Sequence, residues 1–267
     1  MSTRGQRRRL FALVARGLAL ALASAGSRAS GQEDPSPSPP PTLQGTLAAG
    51  LGAGQRSVHL PTDEGTRQVE TGLFPALDVL VRADGRIGER GQLGLHLRYQ
   101  TSLGITAVEA RPGGVERRSP ARTHHLDAGL VPALRFTSSP DSVVLGVFVG
   151  WGLRSFSTVV PLTVPSYTLH GPMAKLELRV PISGDAVALS VRPEVFAWLW
   201  ATDELRELGA IDEKGVALGG EVGLDVRLSE RLRLALGYRE SHGAIGAGFG
   251  TFTDVERFGS LQLVLVY

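Results

Sequence analysis

The sequence predicts an all-β chain, a transmembrane antiparallel β-barrel of about ten up-and-down strands. Three observations predict it. A two-residue period of apolar and polar side chains recurs from about residue 43 to residue 267. The segments that carry it are close to the ~9–11 residues a tilted strand needs to cross a bilayer. The connections between them alternate between short and long, as they do when turns gather at one rim and loops at the other.

The elements are taken in chain order. Arg4, Arg7, Arg8 and Arg9 precede an apolar run, Leu10–Ala25, that only Arg16 interrupts. Ser27 and Ala29 then suit the −3 and −1 positions of a cleavage site, with Ala25 as a competing point. This is the three-part plan of a secretory signal peptide over residues 1–29. The run is shorter than the ~20 apolar residues of a spanning helix. Residues 30–41, rich in Pro and Ser, cannot bury a core and read as a linker. The barrel is expected over residues 42–267.

Ten segments follow, near 43–54, 72–82, 91–101, 123–137, 142–154, 167–180, 186–200, 215–228, 231–240 and 255–267. Successive side chains of a strand point to opposite faces. In the third segment Leu93, Leu95, Leu97 and Tyr99 share one face, with Gln92, His96 and Arg98 on the other. In the seventh, Val187, Leu189, Val191 and Val195 oppose Ser190, Arg192 and Glu194. In the eighth, Val216, Leu218, Val222, Leu224, Val226 and Leu228 oppose Glu221, Asp225 and Arg227. Short connections fall at 84–91, 138–141, 182–185 and 229–231, and long loops are expected near 55–71, 102–122, 155–166, 201–214 and 241–254. An even strand count puts both barrel ends at the short-turn, periplasmic rim. Residues 202–210 are the only stretch with a trace of helical period.

Alternation alone also fits a soluble β-domain with one buried face. Aromatic placement favours lipid: Tyr99, Trp151 and Tyr238 fall near the long-loop ends of the apolar face, Phe136 and Tyr267 near the short-turn ends, as two interfacial girdles would. Pro75, Pro132, Pro172 and Pro193 fall inside these segments on the apolar face. Proline removes a ladder donor, so bulges, bends or shifted boundaries are expected there.

Of the 28 basic residues, Arg4, Arg7, Arg8, Arg9, Arg16 and Arg28 precede residue 30, where there is no acid; beyond it the 26 acidic residues are in excess. No nucleic-acid partner is expected, because that needs a basic face on the mature domain. With no cysteine, disulfides, thiolate catalysis, cysteine metal sites and a lipid-modified N-terminal Cys are excluded.

The final stretch, FGSLQLVLVY, resembles the C-terminal strand of bacterial outer-membrane β-barrel proteins, which end in an aromatic residue with apolar residues at alternate positions before it. Leu261, Leu263, Leu265 and Tyr267 match. The resemblance implies location in the outer membrane, contact with outer-membrane lipid and recognition by the barrel-assembly machinery. It identifies no subfamily.

The inward face is expected to hold Asp78, Arg82, His96, Arg98, Asp127, Arg135, Glu177, Arg179, Arg192, Glu194, Glu221, Asp225 and Arg227, with Lys175, Arg233 and Arg239. Buried charges must be paired or hydrated, so this set reads as a salt-bridged lumen that holds the barrel closed. The alternatives are a narrow pore for small polar solutes and a surface enzyme or ligand-binding barrel. Inward Gly50, Gly52 and Gly54 are expected to leave open space, and Trp198 and Trp200 to constrict the long-loop end from inside. Barrels of about ten strands include the omptin surface proteases, which use carboxylates and a His at the outer rim. His124, His125, His170, His242, Asp254 and Glu256 lie near predicted rims, but the chain lacks the Asp-x-His and Asp-x-Asp spacings that would match omptins. The Ser241–His242 adjacency does not make a nucleophile–base contact. The glycine triplets at 50–54 and 246–250 lack the strand-to-helix plan of a phosphate loop, and His124–His125 has no third ligand nearby. No catalytic, cofactor-binding or metal-ligating residue and no cofactor is expected.

Overall fold

A computed structural model describes residues 43–62, 65–110, 115–137, 139, 142–202, 214–247 and 250–267. The signal peptide and linker expected at 1–41, and most of 202–210, lie outside the described residues.

The described residues form thirteen strand segments: β1 (Leu43–Thr62), β2 (Gly65–Thr71), β3 (Phe74–Ile87), β4 (Gly91–Ser102), β5 (Ile105–Ala110), β6 (Glu116–Arg135), β7 (Val144–Thr158), β8 (Tyr167–Ser183), β9 (Val187–Trp198), β10 (Trp200–Ala201), β11 (Gly215–Arg227), β12 (Leu232–Ala247) and β13 (Gly250–Val266). All pairings are antiparallel. The staves β1-β3-β4-β6-β7-β8-β9-β11-β12-β13 form a ring, and β13 returns to β1 from Thr46↔Val266 to His59↔Thr253. β2, β5 and β10 prolong β3, β4 and β9 beyond it: β2 pairs β1 and β5, and β5 pairs β6. Among the described residues the ten staves close without a free edge, the condition for a sheet to sit in hydrocarbon.

Both barrel ends lie at the rim of the short turns. Leu43 pairs Gly85, beside the turn at Gly88, and Gly45 and Tyr267 exchange backbone bonds at 2.7 and 3.0 Å. Gly88 and Gly184 turn their hairpins with φ of 63° and 52°, where a side chain would be strained.

The apolar face points outward. Leu51, Leu95, Val149, Leu176, Leu218, Val222, Leu236 and Leu263 are all exposed, Leu218 by 62%, while Asp78 on the other face is 0% exposed. A water-soluble β-domain would be turned the other way, since contiguous apolar surface of this extent marks a lipid or protein contact. Trp151, Trp200 and His170 cluster on the outer wall, and Tyr99 meets His124 there.

Four expectations are corrected. Most of the long loops are continued strand: 55–71 is largely the β1–β2 hairpin, 102–122 the β5–β6 hairpin, and 241–254 the outer part of β12–β13. Trp200 does not point inward. Met173 pairs Phe196 but His170 pairs Trp200, so one extra residue enters at Leu199 and reverses the alternation. Trp200 is 44% exposed and stacks on His170. At Pro75, Pro132, Pro172 and Pro193 the strands keep their register, and a register shift falls instead between Pro181 and Ser183 of β8. β6 and β7 stay in register across Pro132, and β8 and β9 across Pro193, with the ladder simply interrupted there. A missing N–H thus costs one rung on one side. Finally, Gly50, Gly52 and Gly54 do not leave open space, because the Phe258 and Phe74 rings lie where side chains at 52 and 54 would be, and a side chain at 50 would meet the β13 backbone.

Candidate functional site: the lumen

Inward-facing side chains form an ion-pair ladder along the axis. At the short-turn rim Asp185 accepts from Arg227 Nη1 at 2.8 Å, Arg233 Nη2 at 3.1 Å and Arg179 Nη2 at 3.4 Å. Arg135 stands there beside Gln92, and Arg227 is at the rim itself, exposed rather than deep in the lumen. Further in, Arg82 lies between Asp84 at 2.9 Å and Glu177 at 2.8 Å. His96 meets the Phe148 ring edge-on with centroids 5.2 Å apart, and Asp225 is half-buried nearby.

The middle of the barrel is dense with charge. Arg98 donates to Asp78 at 2.7 and 3.0 Å and to Glu221, which also accepts from Arg192 at 2.8 Å. Gln100 adds a bond to Asp78 at 2.8 Å. Lys175 joins Asp127 at 2.8 Å to Glu194 at 3.3 Å, and Arg154 meets Glu194 at 3.2 Å. Every one of these carboxylates is held by at least one cation, which is what makes their burial tolerable.

Of the outermost members, sequence reasoning had Arg239 facing inward and His125, Asp254 and Glu256 near the rim, but missed Arg56, Arg154 and Tyr167. Arg56 donates to Asp254 at 2.8 and 2.5 Å and to the Tyr167 hydroxyl at 3.0 Å; that hydroxyl donates to Asp254 at 2.7 Å. The Arg56 guanidinium lies over the Phe156 and Tyr167 rings, 5.2 and 5.4 Å from their centroids. Glu256 contacts His125 Nε2 at 2.8 Å and Arg239 at 3.3 Å. Of the rim histidines, His125 thus turns inward with Glu256 and Asp254, while His124, His170 and His242 lie on the outer wall. The available signal was parity: Arg56 continues the inward series from Gly50 to Gly54, and Arg154 continues it from Phe148 and Gly152.

Beyond these pairs the barrel is filled by an apolar core. Phe74, Phe156, Phe196, Trp198, Phe252 and Phe258 are buried together with Val58, Leu60, Val69 and Ile105. The loop 159–166 folds over them and buries Leu162 and Val164. It is held by Val160 N–H to Ser119 Oγ at 2.9 Å, Thr163 N–H to Glu109 Oε1 at 3.0 Å and Thr158 N–H to Ser166 Oγ at 3.0 Å. Among the described residues, no group of three or more potential ligands is placed to hold a metal ion.

No protein-family model matches the chain, and no curated protein matches it in sequence. Solved structures do. The outer-membrane protease OmpT of Escherichia coli superposes with a TM-score of 0.55 at 10% identity, over 84% of this chain and 96% of that one. The fold is that of a bacterial outer-membrane β-barrel. At that identity the likeness extends to the fold alone. The translocator domain of the autotransporter NalP from Neisseria meningitidis aligns over 97% of both chains at 11% identity, with a TM-score of 0.41. OprG from Pseudomonas aeruginosa aligns over 84% of this chain and 95% of that one at 10% identity, with a TM-score of 0.36. The outward apolar belt of the barrel is therefore its lipid-facing surface, and the ion-pair ladder lies in its lumen.

Proposed function

We propose that this outer-membrane barrel is a structural or anchoring protein with a closed lumen. The observation that carries this reading is the apolar core, capped by loop 159–166, across the long-loop end. A pore for polar solutes needs a continuous hydrated path, and tightly packed rings over salt-bridged charges offer none. The same enclosure speaks against a rim hydrolase. His125 and Glu256 have the contact a general base would use, but both are buried, and Phe196, Trp198 and Leu169 crowd the small space beside Glu256.

Residues 1–29 would direct export and be removed, and 30–41 would link the mature N-terminus to β1. Leu261, Leu263, Leu265 and Tyr267 would be read by the barrel-assembly machinery. The test of the closed lumen is conductance of the purified, refolded protein in planar bilayers. No stepwise current is expected. Reproducible single-channel steps would establish the narrow pore in its place.

A further inference from the structure

A cavity of about 150 Å³ lies in the lumen between the middle of the barrel and the short-turn rim. Each cation that lines it has its carboxylate: Arg82 has Asp84 and Glu177, Arg98 has Asp78 and Glu221, Arg192 has Glu221, and Lys175 has Asp127 and Glu194. The same pairs take up Glu177 and Glu221. Asp225 is left over. It lines the cavity, half-buried, with neither an ion pair nor a hydrogen bond among the described residues.

The sheet shows how the space arises. Asp225, Ala235 and Gln262 stand in one inward row across β11, β12 and β13. With neighbouring strands ~4.8 Å apart, the outer two are ~10 Å apart at Cα, and Ala235 between them reaches little into the lumen. Gly223, Gly237 and Ser260 make the next row equally low. Gln262 is only 8% exposed, and its Nε2 has no partner. Across the lumen, His96 of β4 lines the same cavity with both ring nitrogens buried and unbonded. Buried polar groups left open beside a polar cavity mark a place for water or a ligand. The open groups are an unpaired carboxylate, an amide donor, and an imidazole that can give one bond and take another.

We propose that this cavity binds a small primary amine that also carries an oxygen acceptor, an amino alcohol or an amino acid. Asp225 takes the ammonium group and Gln262 donates to the oxygen. The volume holds about five waters at ~30 Å³ each, so a ligand of four or five heavy atoms fits in their place. Entry is from the short-turn rim, where Arg227 lies two residues beyond Asp225, because the apolar core closes the other end. Solvent reaches the cavity, as the 30% exposure of the Arg192 side chain shows. Binding does not require transport, so single-channel current would overturn the closed lumen and leave this site standing.

The experiment is calorimetric titration of the complete refolded chain in detergent, at neutral pH and constant ionic strength, with ethanolamine, glycine, ethylamine and sodium acetate. Saturable binding of ethanolamine or glycine is expected, with ethylamine weaker for want of the oxygen and acetate weaker for want of the ammonium. Binding should weaken tenfold or more in Asp225→Asn. It should be lost in Ala235→Leu, which puts bulk between the two binding groups, and be unchanged in Arg257→Gln, an exposed outer-wall arginine. Heat-modifiability on gels verifies folding of each variant. Absence of saturable binding would mean that the cavity holds water only, and overturns the site. Undiminished binding in Asp225→Asn or Ala235→Leu overturns it too, as does acetate or ethylamine binding as tightly as the expected ligands.

Discussion

The cost of a wrong charge depends on the side of the wall where it lands. Leu224 and Asp225 are neighbours in β11, one on the lipid face between Leu189 and Leu236, the other turned to the lumen. Leu224→Arg places a cation against hydrocarbon, at about 2–4 kcal/mol near mid-bilayer. Asp225→Asn keeps a hydrogen-bonding side chain in a polar lumen and should cost less. Urea unfolding in lipid vesicles checks the order, and equal or reversed stabilities would mean the faces are inverted. Within the lumen, Arg98→Leu strands the buried Asp78 without its cation and leaves Glu221 with Arg192 alone, a loss of about 3–5 kcal/mol. Arg118→Ala removes an exposed pair with Glu116 and should cost about 0–1 kcal/mol. Similar losses from the two would mean the lumen is as hydrated as the surface. Period-two parity made Asp78, Arg98 and Glu221 legible in the sequence as one inward set. It could not show which carboxylate each arginine holds, because partners such as Arg98 and Glu221 come from strands far apart in the chain. Nor could it show that Phe258 fills the space over Gly52, since an absent side chain looks the same whether a ring or water replaces it.

Strand positions within the bilayer were legible because outside must be apolar and inside polar. Above the bilayer the rule inverts. In β1, Ala49, Leu51 and Ala53 face out, but past Gly54 the outward residues are Gln55, Ser57 and His59, and Val58 and Leu60 turn inward. β6 does the same, with Arg118, Pro120 and Arg122 outward and Ser119, Ala121 and Thr123 within. Outside the membrane the outer wall meets water and the interior can be dry. A reader following one polarity therefore loses the strand where it leaves the lipid, and this is why 55–71 and 102–122 looked like loops. Closure depends on one pairing, β13 with β1, and on the Tyr267 ring lying over Gly45. Deleting Leu261–Tyr267 removes rungs shared with both β1 and β12. It leaves unpaired backbone groups facing hydrocarbon at several kcal/mol each. Tyr267→Ala keeps the rungs and loses only the aromatic cap. Membrane fractionation and heat-modifiability should show the deletion abolishing folded barrel and Tyr267→Ala slowing its appearance. Normal levels from the deletion would mean the last strand does not close the ring.

A molecule with its apolar surface outside and its charges inside is stable only where lipid takes the place of water. Folding in water would leave Leu51, Leu95, Leu218 and Leu263 hydrated, and the hydrophobic effect would then favour collapse or aggregation over this barrel. The chain must therefore reach its membrane before it folds, which is a reason for an export signal at residues 1–29 that is independent of that segment's own composition. On the proposed reading, the chain can be basic overall yet carry an acidic excess beyond residue 30 because the arginines before that point would serve export and be removed. The expected outcome is a protein recovered in the outer-membrane fraction, beginning at or near Ser30, and migrating faster on gels before boiling than after. N-terminal sequencing and fractionation check both points. Recovery as a soluble periplasmic protein, or in the cytoplasm with Met1 intact, would be incompatible with an outward apolar belt, because no aqueous compartment can hold that surface exposed.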